Sequence, residues 1–299
     1  LPSGTRPVTA DTFPENLPSV SVIVLTMGDR MIELEALIES LEPCQPFDGV
    51  LVGNGFEPPT YPGWRSVPLS ANVGISAGRR IGADNATGDL LVFLDDDAKN
   101  LTAQLLQSIQ QAFRADDEIG ALALRVVVEG TDYSLSEWQP RIRGRGQLVA
   151  GNVTSFHGAA HAVRTSIYNR VGGYPDIFWY SHEETDLAWR VLDTGANIAY
   201  RPDLTLSHPR TKPSRHNQYL WFSARNRVWL ARKHLPLVLA GAYLAAWTLI
   251  QLMRCRSIPE VKSVGLGTSA GLRQSPGRRK PLSWQTVWRM TRLGRPPII

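Results

Sequence analysis

Cysteine is scarce in this chain. Cys44 and Cys255 are the only two among 299 residues, and neither has metal-ligand partners at close spacing. That argues against a disulfide framework and fits a reducing compartment, so a cytoplasmic protein is expected. Leu1 to Pro18 has no apolar core, so no secretory signal peptide is expected there. No GxGxxG follows the first apolar run, which ends Leu25-Thr-Met-Gly-Asp-Arg30, and no Walker A sequence is present. A dinucleotide-dependent enzyme and a P-loop nucleotidase are therefore disfavoured. Charged residues make up 20% of the chain and hydrophobic ones 43%, too apolar a balance for a disordered chain.

What is present reads as one large domain or a domain with an appendage. The net charge is +5, and its excess gathers near the C-terminus, where it could face nucleic acid, anionic lipid or a phosphorylated substrate. Residues 1–18, rich in Pro, Thr and Ser, read as a flexible arm. Val20 to Leu25, Val50 to Val52, Trp64 to Leu69, Leu90 to Leu94 and Ile119 to Val128 read as strands. Between them, helical periodicity covers 31–41 and 75–86. A further helix carries Leu101, Leu105, Ile109 and Phe113 on one face, with Asn100 as its expected cap. Strands alternating with helices predict an α/β fold with a mostly parallel sheet. Ligands of such sheets sit beyond the carboxyl ends of strands. Thr26, Gly53-Asn54-Gly55 and Asp95-Asp96-Asp97 all fall at that edge. Residues 129–157 read as a long loop or hairpin, 184–193 as a helix, 198–200 and 204–207 as two short strands, and 218–234 as an aromatic, basic helix. The sequons at Asn85, Asn100 and Asn152 carry no meaning in a cytoplasmic protein.

Three features carry chemistry. Asp95, Asp96 and Asp97 directly follow an apolar strand, and three adjacent carboxylates repel unless a cation joins them. A divalent ion bound by one or two carboxylates and a substrate phosphate resolves that repulsion; a solvated acidic turn is the plainer alternative. Glu183, Glu184 and Asp186 could open a helix, where acids are favoured by the dipole. Equally, one of them could deprotonate a hydroxyl acceptor. His208, after a short apolar run, is either structural or a third ligand to Mn²⁺.

In combination these elements resemble the inverting glycosyltransferases of the GT-A fold, family 2, in a bacterial rhamnosyltransferase-like branch. The carriers span roughly residues 19–234: Ser21-Val-Ile-Val-Leu-Thr26, Val52-Gly-Asn-Gly55, Asn72-Val-Gly74, Gly88-Asp-Leu-Leu-Val-Phe-Leu-Asp-Asp-Asp97, Val171-Gly-Gly-Tyr-Pro175, Glu183-Glu-Thr-Asp-Leu187 and His208. The resemblance implies a DxD motif at Asp95 and Asp97, with Asp96 between them, and His208 as the later ligand of Mn²⁺ or Mg²⁺. It implies Glu184 as general base, with Glu183 as the alternative because Glu stands where Asp is usual. Thr26 and Asn54 would hold the nucleotide base; Gly53 replaces a common Asp. Asn72, Gly74 and Arg79 would pass the ribose and diphosphate, although Arg79 and Arg80 could equally be an exposed helix face. Gly158, Trp179, Tyr180 and His182 would face donor sugar and acceptor; core packing is an equal reading for Trp179.

The resemblance divides the chain into a nucleotide-sugar-binding half at 19–130 and an acceptor-binding, catalytic half at 131–234. An apolar segment and basic tail follow at 235–299. The implied partners are a UDP, dTDP or GDP sugar and a glycan or lipid-linked acceptor, without nucleic acid. A sugar-nucleotide pyrophosphorylase would carry a Gly-rich basic loop after the first strand, and none is there. A non-catalytic sugar-nucleotide-binding module is the alternative from another class. Leu235 to Met253 is 19 residues without a formal charge, flanked by basic residues on both sides. Basic flanks on both sides disfavour a span. The expectation is a helix or helical hairpin lying on or dipping into the inner face of the cell membrane against anionic lipid, with a buried packing helix or an oligomer contact as the alternatives.

Overall fold

The computed structural model describes residues 17–44, 47–140, 148–210 and 218–298. The arm expected at 1–18 lies almost wholly outside them. Eight strands among the described residues form one sheet: β1 (Val20–Thr26), β2 (Asp48–Asn54), β3 (Trp64–Leu69), β4 (Leu90–Asp95), β5 (Ile119–Val128), β6 (Gly151–Asn152), β7 (Ala160–Arg164) and β8 (Asn197–His208). Their order is β3-β2-β1-β4-β7-β5-β8-β6. β7 runs antiparallel to both β4 and β5, and β6 antiparallel to β8; the remaining pairs are parallel. The sheet is thus continuous across the two halves marked out in the sequence.

The helices are α1 (Met31–Leu41), α2 (Gly74–Asp84), α3 (Ala103–Ala115), α4 (Thr165–Val171), α5 (Glu183–Asp193), α6 (Tyr219–His234), α7 (Leu237–Arg254), α8 (Ile258–Arg273) and α9 (Trp284–Arg292). They cover both faces of the sheet. Val22, Val24, Leu34, Ile38 and Phe113 belong to one core cluster. Ile23, Val52, Phe93, Leu187 and Trp229 belong to the other. Alternate residues of β1 feed opposite clusters, so from Val22 to Leu25 this strand is continuously apolar, as parallel strands buried on both faces are.

Two local readings need correction. Asn100 does not cap α3: the cap is Thr102, whose side chain accepts from Leu105 N. Asn100 instead sits at φ 65° and donates through Nδ2 to Ser207 Oγ at 3.0 Å. The two short strands expected around 198–207 are one, β8, with an irregular register opposite Leu124 and Arg125. The C-terminal appendage is helical, with α8 and α9 lying within the basic tail. A Cβ at Gly267 would meet the Trp221 carbonyl at 2.3 Å and one at Gly271 the Arg225 carbonyl at 2.8 Å. These glycines are the face that lets α8 lie directly on α6.

Candidate functional site

The acidic triplet ends β4 at the carboxyl edge of the sheet. A two-residue bridge brings the end of β8 to it. Lys99 N donates to Ser207 O at 2.8 Å, and Ser207 N donates to Lys99 O at 3.0 Å. The Asn100 bond to Ser207 strengthens the same junction. His208 follows at once, and its Nδ1 lies 2.7 Å from the Pro209 carbonyl. That contact turns Nε2 toward the acids, 2.9 Å from Asp97 Oδ1 and 3.5 Å from Asp95 Oδ2. Trp138 packs edge-on against the imidazole at 5.5 Å. Ligand atoms of Asp95, Asp97 and His208 lie within 4.8 Å of one another.

This donor set fits a divalent cation. Asp97 is 1% exposed, and its Oδ1 has no hydrogen bond of acceptable geometry despite the nearby imidazole. Two carboxylates and an imidazole suit Mn²⁺ or Mg²⁺ with remaining positions open to phosphate. Burial pulls the His208 pKa down, but the adjacent carboxylates of Asp95 and Asp97 outweigh it and hold the imidazole up to about 10. Burial pushes Asp96 up to about 6, against the nearby Arg30 charge.

Two arginines balance the acids. Arg30, just past β1, reaches Asp96 Oδ1 at 3.0 Å and also Asp97 Oδ2. Arg79 on α2 is 2% exposed, so it is no surface residue. It donates to Asp95 Oδ1 at 2.7 Å and lies 3.4 Å from Glu183 Oε1. Burial works to raise the Asp95 carboxyl; the charge of Arg79, then His208, overcomes it and holds Asp95 well below the usual range. Gly158 belongs to this layer: a Cβ there would approach Arg79 Nη1 at 3.0 Å. Its placement is against the guanidinium.

The cleft above the acids has a volume of about 340 Å³. Its acidic end is lined by Asp95, Asp96, Arg30, His157 and His208, and its aromatic end by Trp179, Tyr180 and Phe222. Asn54, Asn72 and Gly74 form the wall between. Asn54 Nδ2 donates to Asn72 Oδ1 at 3.0 Å, and Asn54 Oδ1 accepts from Val73 N at 2.8 Å. Gly53 has no room for the side chain usual at that position, since a Cβ would lie 2.4 Å from the Phe56 carbonyl. Thr26 is buried, with Oγ1 accepting from Gly28 N at 3.1 Å and bonded to Asp96. It supports the acids from below.

Trp179 is 39% exposed, and its ring lies parallel to Phe222 with centroids 6.5 Å apart. Trp179, Ser181 and His182 all have positive φ. Asn226 on α6 holds this loop by donating to the carbonyls of Phe178, Tyr180 and Ser181 at 2.7–2.9 Å. His182 turns away from the cleft, its Nε2 3.2 Å from Ser223 Oγ. Glu183 and Glu184 open α5 behind the loop. Glu183 is 4% exposed, and its Oε2 is unpartnered. Burial, then the charge of Glu184, raises Glu183 well above the usual carboxylate range; burial also raises Glu184, which is half-buried.

The geometry therefore brings together Asp95, Asp96, Asp97, His208, Asn54, Asn72, Gly74, Trp179 and Tyr180. It sets Thr26, Arg79, Gly158, His182 and the two glutamates around or behind them. Sequence reasoning missed Arg30, His157, Trp138 and Phe222. Of these only Arg30 left a trace, by falling just past β1 at the same sheet edge as the acids.

Residues 54–172 match the family model described as glycosyl transferase family 2. A pre-mycofactocin glycosyltransferase of Mycobacterium tuberculosis is 30% identical over 195 residues, which cover 60% of this chain and 40% of that protein. The chain thus spans well under half the length of that curated relative. Among solved structures, GalNAc-T7 with UDP, GalNAc and Mn²⁺ is similar at a TM-score of 0.63 and 14% identity, covering 96% of this chain and 59% of that one. Residues 1–349 of Staphylococcus aureus TarS with UDP give 0.53 at 18% identity, covering 80% and 73%. The likeness shows the fold: a GT-A sheet flanked by helices, extended here by a C-terminal helical region.

Proposed function

We propose that the chain is a metal-dependent glycosyltransferase that moves a sugar from a nucleotide diphosphate to a hydroxyl acceptor with inversion. The observation that carries this reading is the convergence of Asp95, Asp97 and His208 in an open cleft whose far wall is aromatic. The family match, the named activity of the mycobacterial relative and the Mn²⁺ and UDP bound to fold neighbours support it.

Asp95, Asp97 and His208 would hold the cation, Mn²⁺ or Mg²⁺. When bound, that ion supplies positive charge against the leaving diphosphate. Asn54 and Asn72, at the base of α2, would hold the nucleoside. Trp179, Tyr180 and Phe222 offer flat apolar faces to a sugar ring. Arg79 ties Asp95 to Glu183 and so sets the acids of β4 and α5 in register. Glu184 accepts the acceptor's proton. Its raised pKa gives it the basicity the step needs, and Glu183, locked to Arg79, is the positioning partner. Motif order resembles bacterial rhamnosyltransferases, so dTDP and UDP sugars are the first donors to test, GDP sugars next, with a glycan hydroxyl as acceptor.

The test is Glu184→Gln, which keeps shape and removes basicity. Turnover should fall by roughly 10²–10⁴-fold, the usual contribution of a general base, with donor affinity nearly unchanged. A product whose anomeric configuration is retained by NMR, or a Glu184→Gln variant of full activity, overturns the mechanism.

A further inference from the structure

Basic residues are unevenly spread. Residues 204–299 hold 17 of the 32 Lys and Arg and a single acid, Glu260. Within this region lies α7, with a mean hydropathy of 1.4 over 18 residues, yet only 11% of it is buried. A core helix of that composition would be enclosed.

One face of α7 holds the body of the protein. Tyr243 Oη accepts from Arg227 Nη1 at 3.1 Å, the Trp247 ring centroid lies 3.5 Å from the Arg227 guanidinium, and Gln251 Nε2 donates to Ser223 Oγ at 3.2 Å. The opposite stripe, Val238, Ala242, Ala245, Leu249 and Leu252, recurs at helical spacing and is exposed throughout. Val238 is 80% exposed and Leu249 59%. Gln251 meets α6 near its start and Tyr243 further along, whereas α8 follows α6 in the same sense from Trp221 to Arg225. α7 and α8 are therefore antiparallel. Between them runs an apolar groove of about 460 Å³, with Leu244, Leu252 and Leu272 on its sides and Val228 as its floor.

Charge sits at the two ends of this hairpin. Arg254, Arg256 and Lys262 are exposed at the tip, and Arg273, Arg278 and Lys280 at the base. None of the six forms an ion pair among the described residues. An apolar band with basic groups at both ends matches a helix pair lying flat, its chains in the acyl boundary and its cations at the headgroups. A crossing would carry one basic end to the far side and strip Tyr243, Trp247 and Gln251 of their partners.

We propose that the outer face of α7 and α8 is a docking surface for an anionic lipid bilayer, lying in the membrane plane with the groove occupied by lipid chains. Gln251, Ser223 and His182 form a chain of contacts from the docked helix to the Trp179–His182 loop. An acceptor carried on a lipid is the substrate class such a surface serves. That corollary rests on the proposed transfer, whereas docking does not.

The experiment is flotation of the full chain with vesicles of phosphatidylcholine alone, and of phosphatidylcholine mixed with phosphatidylglycerol. The chain should float with the anionic vesicles, less with neutral ones, and detach as salt rises. Arg254→Gln with Arg256→Gln changes only exposed side chains and should weaken anionic partitioning about 30-fold. Leu249→Asp with Leu252→Asp should abolish it while the circular dichroism spectrum is kept. Failure of the wild type to float overturns the proposal, as does equal flotation of wild type and both variants. A lipid-free dimer that Leu249→Asp dissociates without changing flotation assigns the face to a second copy and equally overturns it.

Discussion

Asp186 and Asp97 are both buried carboxylates with cations beside them, and of the two only Asp186 is satisfied. Asp186, on α5, is fully buried and receives Arg190 Nε at 2.7 Å, Lys233 Nζ at 2.8 Å and His234 Nε2 at 2.6 Å. Its donors come from α5 itself and from the end of α6, so the group fastens those two helices together. Asp97 is almost as buried, but Arg30 satisfies only one oxygen, and Oδ1 faces His208 without a directional bond. A saturated carboxylate is finished by folding. One left short of partners in an open cleft is held ready for a ligand.

Asp97→Ala should lower transfer by at least about 10³-fold, since the charge stabilisation supplied through a metal is worth several kcal/mol. Its thermal stability should not fall, because a crowded negative charge is removed. Asp186→Asn should do the reverse. Removing one partner of a buried charge cluster costs about 3–5 kcal/mol, read by urea denaturation, while the folded fraction keeps its activity. If Asp186→Asn loses activity at full stability, the contrast fails.

The same pair separates in acid. Burial raises the Asp186 carboxyl, but the charges of Arg190, His234 and Lys233 win and hold it well below its usual 3.8. A depressed folded pKa contributes stability above the unfolded value that is lost as pH falls through the folded one. Between pH 5 and 3, about the window set by the unfolded carboxyl, the wild type should lose stability. Asp186→Asn should lose less over that range, by urea titration at each pH. Parallel curves would remove Asp186 as the source.

These contrasts show where sequence reading reached its limit. Strands β1, β4 and β5 were legible because nearly unbroken apolar runs of strand length leave few other conformations, and α1 because its apolar residues recur at 3.6. Asp95, Asp97 and His208 could be named because residue type and order survive without geometry. β7 was not legible: Ala160-His-Ala-Val-Arg164 is short, follows Gly158, and becomes a strand only because β4 and β5 need a partner between them. Arg30 and Phe222 could not be assigned a role for a related reason. Their roles exist only once α1 and α6 bring them to the cleft, and nothing local distinguishes an arginine that faces carboxylates from one that faces water. Asn100 failed through a competing local use, its amide bonding Ser207 rather than the helix it precedes.

Arg30 offers the finest test of the contrast. It is a cation that the open cluster holds without metal, bonded to Asp96 and Asp97 with its side chain 23% exposed. A divalent ion at Asp97 would place like charges side by side, so Arg30 must either turn outward or weaken metal binding. Arg30→Gln removes that competition. Mn²⁺ alone should bind about 5-fold more tightly by electron paramagnetic resonance titration, in keeping with the roughly 1 kcal/mol of a partly exposed ion pair. The nucleotide diphosphate should bind more weakly, because an arginine released from the acids would face its phosphates. The two affinities should therefore move in opposite directions. The corresponding change in the closed cluster, Lys233→Gln, should leave both unaltered. If Mn²⁺ affinity is the same in wild type and Arg30→Gln, Arg30 is as structural as Lys233, and the open cluster is less open than its geometry argues.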